Sequence, residues 1–129
     1  MSTLVAQTIS NGTVSTSSAN VIQGSAKAWV NFNGTGTVAI RGSFNVSSIT
    51  DNGTGDYTVN FTTAMPDTNY SVGGTAKEFD GTNATTVTMY LGKQTLANTM
   101  ATTFCRVNTL AGVNGASYDC VSVCVQIFR

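Results

Sequence analysis

Near its end the chain alternates. Val121, Val123, Val125 and Ile127 interleave with Cys120, Ser122, Cys124 and Gln126. A period of two sends successive side chains to opposite faces, so this run is a strand with one apolar and one mild face. The pattern recurs where Ala26, Ala28, Val30 and Phe32 oppose Lys27, Trp29 and Asn31. It recurs again where Tyr57, Val59 and Phe61 oppose Thr58, Asn60 and Thr62. No stretch carries apolar residues at convincing helical spacing. A chain of 129 residues so patterned is committed to strands.

Turn chemistry separates the runs. Asn33-Gly34-Thr35-Gly36 predicts a turn into a second strand over 37–40. A strand over 44–49 then leads through the Asp-Asn-Gly loop of residues 50–56 into the run at Tyr57, which is a hairpin. Met65-Pro66-Asp67 is the next turn, followed by strands over 70–77, 86–91, 99–107 and 118–128, with a polar loop over 78–83. About eight short strands with regular turn signals predict an all-β chain, either an antiparallel β-sandwich (jelly-roll-like) or a small barrel. Residues 1–25 read differently. Leu4, Val5 and Ile9 are scattered among small polar residues, and no charge appears before Lys27. The expected organisation is an extended N-terminal arm over 1–25 and a β-sandwich domain over 26–129.

Composition narrows the chemistry. Charged residues make up 9% of the chain, against about 25% in an ordinary soluble domain. Six basic side chains balance six acidic ones, which argues against a nucleic-acid or anionic-membrane partner, since both need a basic surface. There is no histidine, and with it go His-based triads and His-ligated metals. Thr, Ser and Asn fill 46 of 129 positions instead, residues that suit pleated surfaces and turns. No apolar run reaches the roughly 20 residues of a membrane helix, and the first residues lack the pattern of a secretory signal.

Candidate reactive groups fare poorly. Gly34-Thr35-Gly36-Thr37-Val38-Ala39 formally matches a dinucleotide fingerprint, but it leads into a strand, where no helix N-terminus exists to hold pyrophosphate. Asp51 and Asp56 bracket one loop and are explained by turn formation and solvation. Glu78, Asp80 and Asn83 share a loop that lacks the spaced oxygens of a dedicated calcium site. Cys105, Cys120 and Cys124 have no base to activate them. An odd number of cysteines fits no disulfide framework, and reduced thiols are expected. Tyr57 and Tyr70 are expected in the core, while Trp29, on the face away from Val30 and Phe32, is expected against a subunit or a second sheet, or under a stacked sugar. No catalytic residue, cofactor or metal site is predicted.

Residues 26–77 carry a resemblance. Ala26-Lys27-Ala28-Trp29-Val30-Asn31-Phe32-Asn33-Gly34, the stretch from Phe44 to Tyr57, Asn60-Phe61-Thr62 and Met65-Pro66-Asp67 resemble a module of bacteriophage and prophage virion proteins. It is similar to the C-terminal domain of many tail-fibre-like proteins. The resemblance implies a trimeric β-sandwich head on the outside of a phage particle, with no catalytic residues. Fibre proteins of this kind place a long shaft or anchoring domain before the module, whereas 25 residues precede position 26 here. The expectation is therefore a surface-exposed homotrimeric knob that decorates or cements a capsid, made in the host bacterial cytoplasm. Its partners would be its own copies and the major capsid protein or another virion protein. A receptor-binding tip recognising host cell-surface glycan is the alternative. The candidate interface residues are Leu4, Val5, Ile9 and Trp29.

Overall fold

A computed structural model of the chain describes residues 2–3, 5–77, 87–92, 99–111 and 115–129. Among the described residues, ten strands and one short helix run in the order β1 (Thr8–Ser10), β2 (Ser15–Ser17), α1 (Ser18–Gly24), β3 (Ala28–Asn33), β4 (Ala39–Phe44), β5 (Val46–Asp51), β6 (Asp56–Phe61), β7 (Ser71–Lys77), β8 (Val87–Leu91), β9 (Phe104–Ala111) and β10 (Ser122–Phe128). Eight of the strands form two antiparallel four-stranded sheets, β4-β3-β10-β7 and β5-β6-β9-β8. The small hairpin β1-β2 stands outside both.

The two sheets pack face to face through the side chains that the alternation of β3, β6 and β10 assigned inward, joined by two from β9. Ala28, Val30 and Phe32 of β3 and Val123, Val125 and Ile127 of β10 meet Tyr57, Val59 and Phe61 of β6 and Cys105 and Val107 of β9. Phe32 crosses the interior to pack edge-on against Tyr57, with ring centroids 5.1 Å apart. Phe61 and Tyr70 repeat the arrangement at 5.9 Å. Such T-shaped pairs add about 0.5–1.5 kcal/mol to the area that they bury. The fold is a β-sandwich rather than a closed barrel.

Where the chain passes between sheets, single residues carry the geometry. Asn45 has a φ of 55°, the sole non-glycine described residue in the left-handed region. Its Nδ2 donates to the carbonyls of Lys27 (3.0 Å) and Thr63 (3.1 Å), and its Oδ1 accepts from the Thr63 N–H (2.7 Å). Asn tolerates this backbone best among residues with a side chain, and here its amide ties the corner between β4 and β5. Phe44 therefore ends one strand instead of opening the next, correcting the expected strand over 44–49. The hairpin turn at 33–36 and the loop between β5 and β6 are found as expected.

Three further expectations are corrected. Residues 99–103 are not the start of β9 but fold back on it: Met100 bridges Cys105, the Arg106 N–H donates to the Thr99 carbonyl at 2.8 Å and the Ala101 N–H to the Phe104 carbonyl at 2.9 Å, with the bend at 102–103. The final strand begins at Ser122, so Cys120 escapes the alternation. It is fully buried in the core rather than on the mild outer face. The N-terminal residues fold locally: β1 and β2 pair in register from Thr8↔Ser17 to Ser10↔Ser15, and α1 follows. The Ser17 hydroxyl accepts from the Asn20 N–H and caps α1, supplying a helix start that composition did not announce. The loop over 78–83 lies outside the described residues.

Candidate functional site

The carboxylates come first, because paired acids are the simplest catalytic device left to a chain without histidine. Asp56 is not a solvated turn residue. It is buried, and Arg106 grips it with both arms of its guanidinium, Nε to Oδ1 at 2.7 Å and a terminal nitrogen to Oδ2 at 2.6 Å. Asp119 accepts from the Gly55 N–H at 2.7 Å and from the Tyr57 hydroxyl at 2.8 Å. Burial, and then the hydrogen bond and charge of Asp119, hold the Tyr57 phenol protonated far above its ordinary range. Asp67 binds Arg129, which holds its carboxyl below the usual range. These acids are structural ties between loops and strands. Among the described residues no three His, Cys, Asp or Glu side chains gather to hold a metal ion. Glu78, Asp80 and Asn83 fall outside them.

Cys105, Cys120 and Cys124 form no disulfide, and the first two are buried. Burial pushes the Cys105 thiol up to about 12, so it stays protonated and inert at neutral pH. The Gly34-Thr35-Gly36 segment is the turn between β3 and β4. There the Gly34 N–H donates to the Cys120 carbonyl at 2.8 Å, and its carbonyl lies 2.9 Å from the Tyr57 hydroxyl. A Cβ at Gly34 would lie 2.5 Å from that hydroxyl, so glycine here makes room for a core tyrosine rather than for a phosphate. Tyr57 and Tyr70 are core residues, as expected.

Two surfaces remain. The first is N-terminal. Val5 and Ile9, 86% and 48% exposed, line one open apolar groove of about 410 Å³ together with Ala6, Ser18 and Ile22. Leu4 lies outside the described residues. From Val5 to Gly24 no side chain is buried. Ile22 escaped the sequence reading because a helix of seven residues, about two turns, is too short to leave a periodic pattern.

The second surface is the outer face of β4-β3-β10-β7. Trp29, 42% exposed, stands in a ladder row with Phe44 on one side and Gln126, then Gly73, on the other. The next row along the strands is Gly42, Asn31, Cys124 and Thr75. The benzo edge of the indole overhangs Gly42, where a Cβ would sit 3.5 Å from two ring atoms. Phe128, also exposed, lies two residues beyond Gln126 on the same face. Trp29 is thus on a different surface from Val5 and Ile9 and does not line their groove. Phe44 and Phe128 were missed beside it. The alternation of β10 already pointed Phe128 outward, whereas the register that sets Phe44 against Trp29 is a tertiary fact. No protein-family model, no curated protein and no solved structure matches this chain.

Proposed function

We propose that this chain is a non-enzymatic structural protein of a bacteriophage particle. It is a homotrimeric β-sandwich knob on the outer surface that decorates or cements the capsid and is held there by residues 1–25. The observation that carries the reading is the N-terminal segment. Two three-residue strands and a seven-residue helix, with no buried side chain, have no core of their own, and isolated elements this short are marginal in water. Yet they align Val5, Ile9 and Ile22 along one groove. Fully burying such side chains against a partner stabilises by about 1.5–3 kcal/mol each, enough to make the segment an attachment element. The resemblance of residues 26–77 to virion modules supplies the setting. Cyclic closure of three copies would also shelter sheet edges.

The test is the solution mass of the chain by light scattering, with and without residues 1–25. Three chains of 13.4 kDa give about 40 kDa, and the truncated chain is expected to stay folded but fail to attach to capsids. A full-length chain that stays monomeric at high concentration, or a truncated chain that still attaches, overturns the reading. A second reading of the same module, a receptor-binding tip for host glycan, is favoured by one observation, the exposed Trp29 with Phe44 and Gln126 beside it on the outer face of the first sheet.

A further inference from the structure

We infer that the outer face of β4-β3-β10-β7 is a binding platform for a neutral oligosaccharide, with Trp29 as its stacking centre and the amides of Asn31 and Gln126 as its hydroxyl readers. The inference deepens the receptor-tip reading by naming a ligand class and the residues that hold it. It rests on that reading only for where the glycan comes from, since binding needs no particle.

Its first support is the chemistry of the face. The two central rows present one indole, one phenyl, two carboxamides, a hydroxyl, a thiol and two glycines, and no charged side chain. A sugar ring offers an apolar face of C–H groups and a rim of hydroxyls. It therefore needs an aromatic plane beside groups that both donate and accept, which carboxamides do. Gln126 stands one strand from Trp29, about 4.8 Å away, and Asn31 two residues along, about 6.6 Å. A ring stacked on the indole brings its rim to both. Among the described residues the Gln126 amide and Asn31 Nδ2 make no hydrogen bond, and Asn31 Oδ1 receives only a long one from Ser122 at 3.4 Å. Phe44, beside Trp29, extends the stacking surface to a second ring.

The glycines are the second support. Gly73 lies at the end of the Trp29 row, and a Cβ there would meet nothing nearer than Gln126 Oε1 at 3.9 Å. Neither packing nor a positive φ explains a glycine in this strand, where it weakens the sheet. An open platform beside the amides does.

Size is the third support. Four strands at about 4.8 Å spacing and about 20 Å long make a flat footprint on the order of 400 Å², which suits a short oligosaccharide. The two central rows carry no charge, which favours a neutral sugar over an acidic one; Lys77 lies at the margin of the face, two residues beyond Thr75.

Trp29 is the only tryptophan in the chain, so its fluorescence reports on this face alone. The experiment titrates the full-length protein with maltotriose, cellotriose, xylotriose, mannotriose and triacetylchitotriose, up to about 10 mM each. At least one is expected to give a saturable change in emission, confirmed by calorimetry. Trp29→Ala is expected to weaken that binding at least about tenfold. Gly73→Thr fills the platform with a residue that favours strands, and is expected to weaken binding while the melting temperature holds or rises. A fold defect would lower both together. No saturable signal from any of the five overturns the proposal, as does binding that survives both substitutions or a solution mass that falls with Trp29→Ala. None of these readouts depends on capsid attachment, so the two proposals fail separately.

Discussion

Gly73 and Gly74 are neighbours on β7 that face opposite ways, and the same substitution is expected to have opposite effects at the two. Gly73 pairs with Gln126 on the outer face, in open space. Alanine there restricts the unfolded chain without straining the native one, which stabilises by about 0.4–1 kcal/mol. Gly74 pairs with the buried Val125 and faces the second sheet. A Cβ at Gly74 would press on the Cys124 carbonyl oxygen and on the end of Met89, with the Met89 sulfur at 2.8 Å. The methionine can swing away, but the carbonyl is held in the ladder, so an overpacking cost of about 1–3 kcal/mol is expected. The two variants should therefore differ by about 1.5–4 kcal/mol. With an unfolding entropy of about 2.1 cal/mol/K per residue, a chain of this length melts about 5–15 °C apart in the two cases. Thermal and urea unfolding followed by far-ultraviolet circular dichroism measures the gap. Equal shifts, or a Gly74→Ala protein as stable as the parent, would refute the assignment of the two faces.

Three further outcomes are expected. Deleting residues 1–25 should leave the melting temperature of the sandwich within a few degrees of the parent, because no side chain from Val5 to Gly24 is buried; a collapse of the fold would show that the segment is part of the core. Arg106→Met strands the buried Asp56 carboxylate and should cost about 2–4 kcal/mol, while adding Asp56→Asn should recover part of the loss; additive losses in the double variant would show that the pair is not coupled. Stability should also fall at alkaline pH. Burial raises the Cys105 thiol from its ordinary 9.0 to about 12, so the group has no effect below pH 9. Between pH 9 and 12 the unfolded thiol ionises and the native one does not, removing about 1.4 kcal/mol per pH unit. Cys105→Ala should therefore show a shallower alkaline slope in urea midpoints, and parallel slopes would count against the burial argument.

The inward face of the fold was legible because alternation is a local property. Val30 and Phe32, Tyr57 and Val59, and Val123 to Ile127 occupy the interior as a period of two requires. Errors gathered where a tertiary contact outranks the local pattern. Cys120 sits just before β10, where its carbonyl is held by Gly34, and so it turns into the core. Asn45 interrupts what reads as a continuous strand because its amide has partners 18 residues away on either side. Asp56 reads as a turn residue, yet Arg106, fifty positions later, makes it a buried anion. Of the candidate surfaces, Val5 and Ile9 stood out as apolar residues in a polar stretch, and Trp29 as an aromatic on the wrong side of a strand. Ile22 and Phe44 acquired their places only when the chain folded.

Strand content, turn positions, inward residues and the scarcity of reactive groups belong to the sequence, since each follows from the properties of a few adjacent side chains. The division of eight strands into β4-β3-β10-β7 and β5-β6-β9-β8 belongs to the tertiary structure. So does the row that sets Phe44, Trp29 and Gln126 side by side. Backbone pairing is nearly indifferent to side-chain identity. The choice among pairings is made when both apolar faces are buried at once, and that condition involves the whole chain.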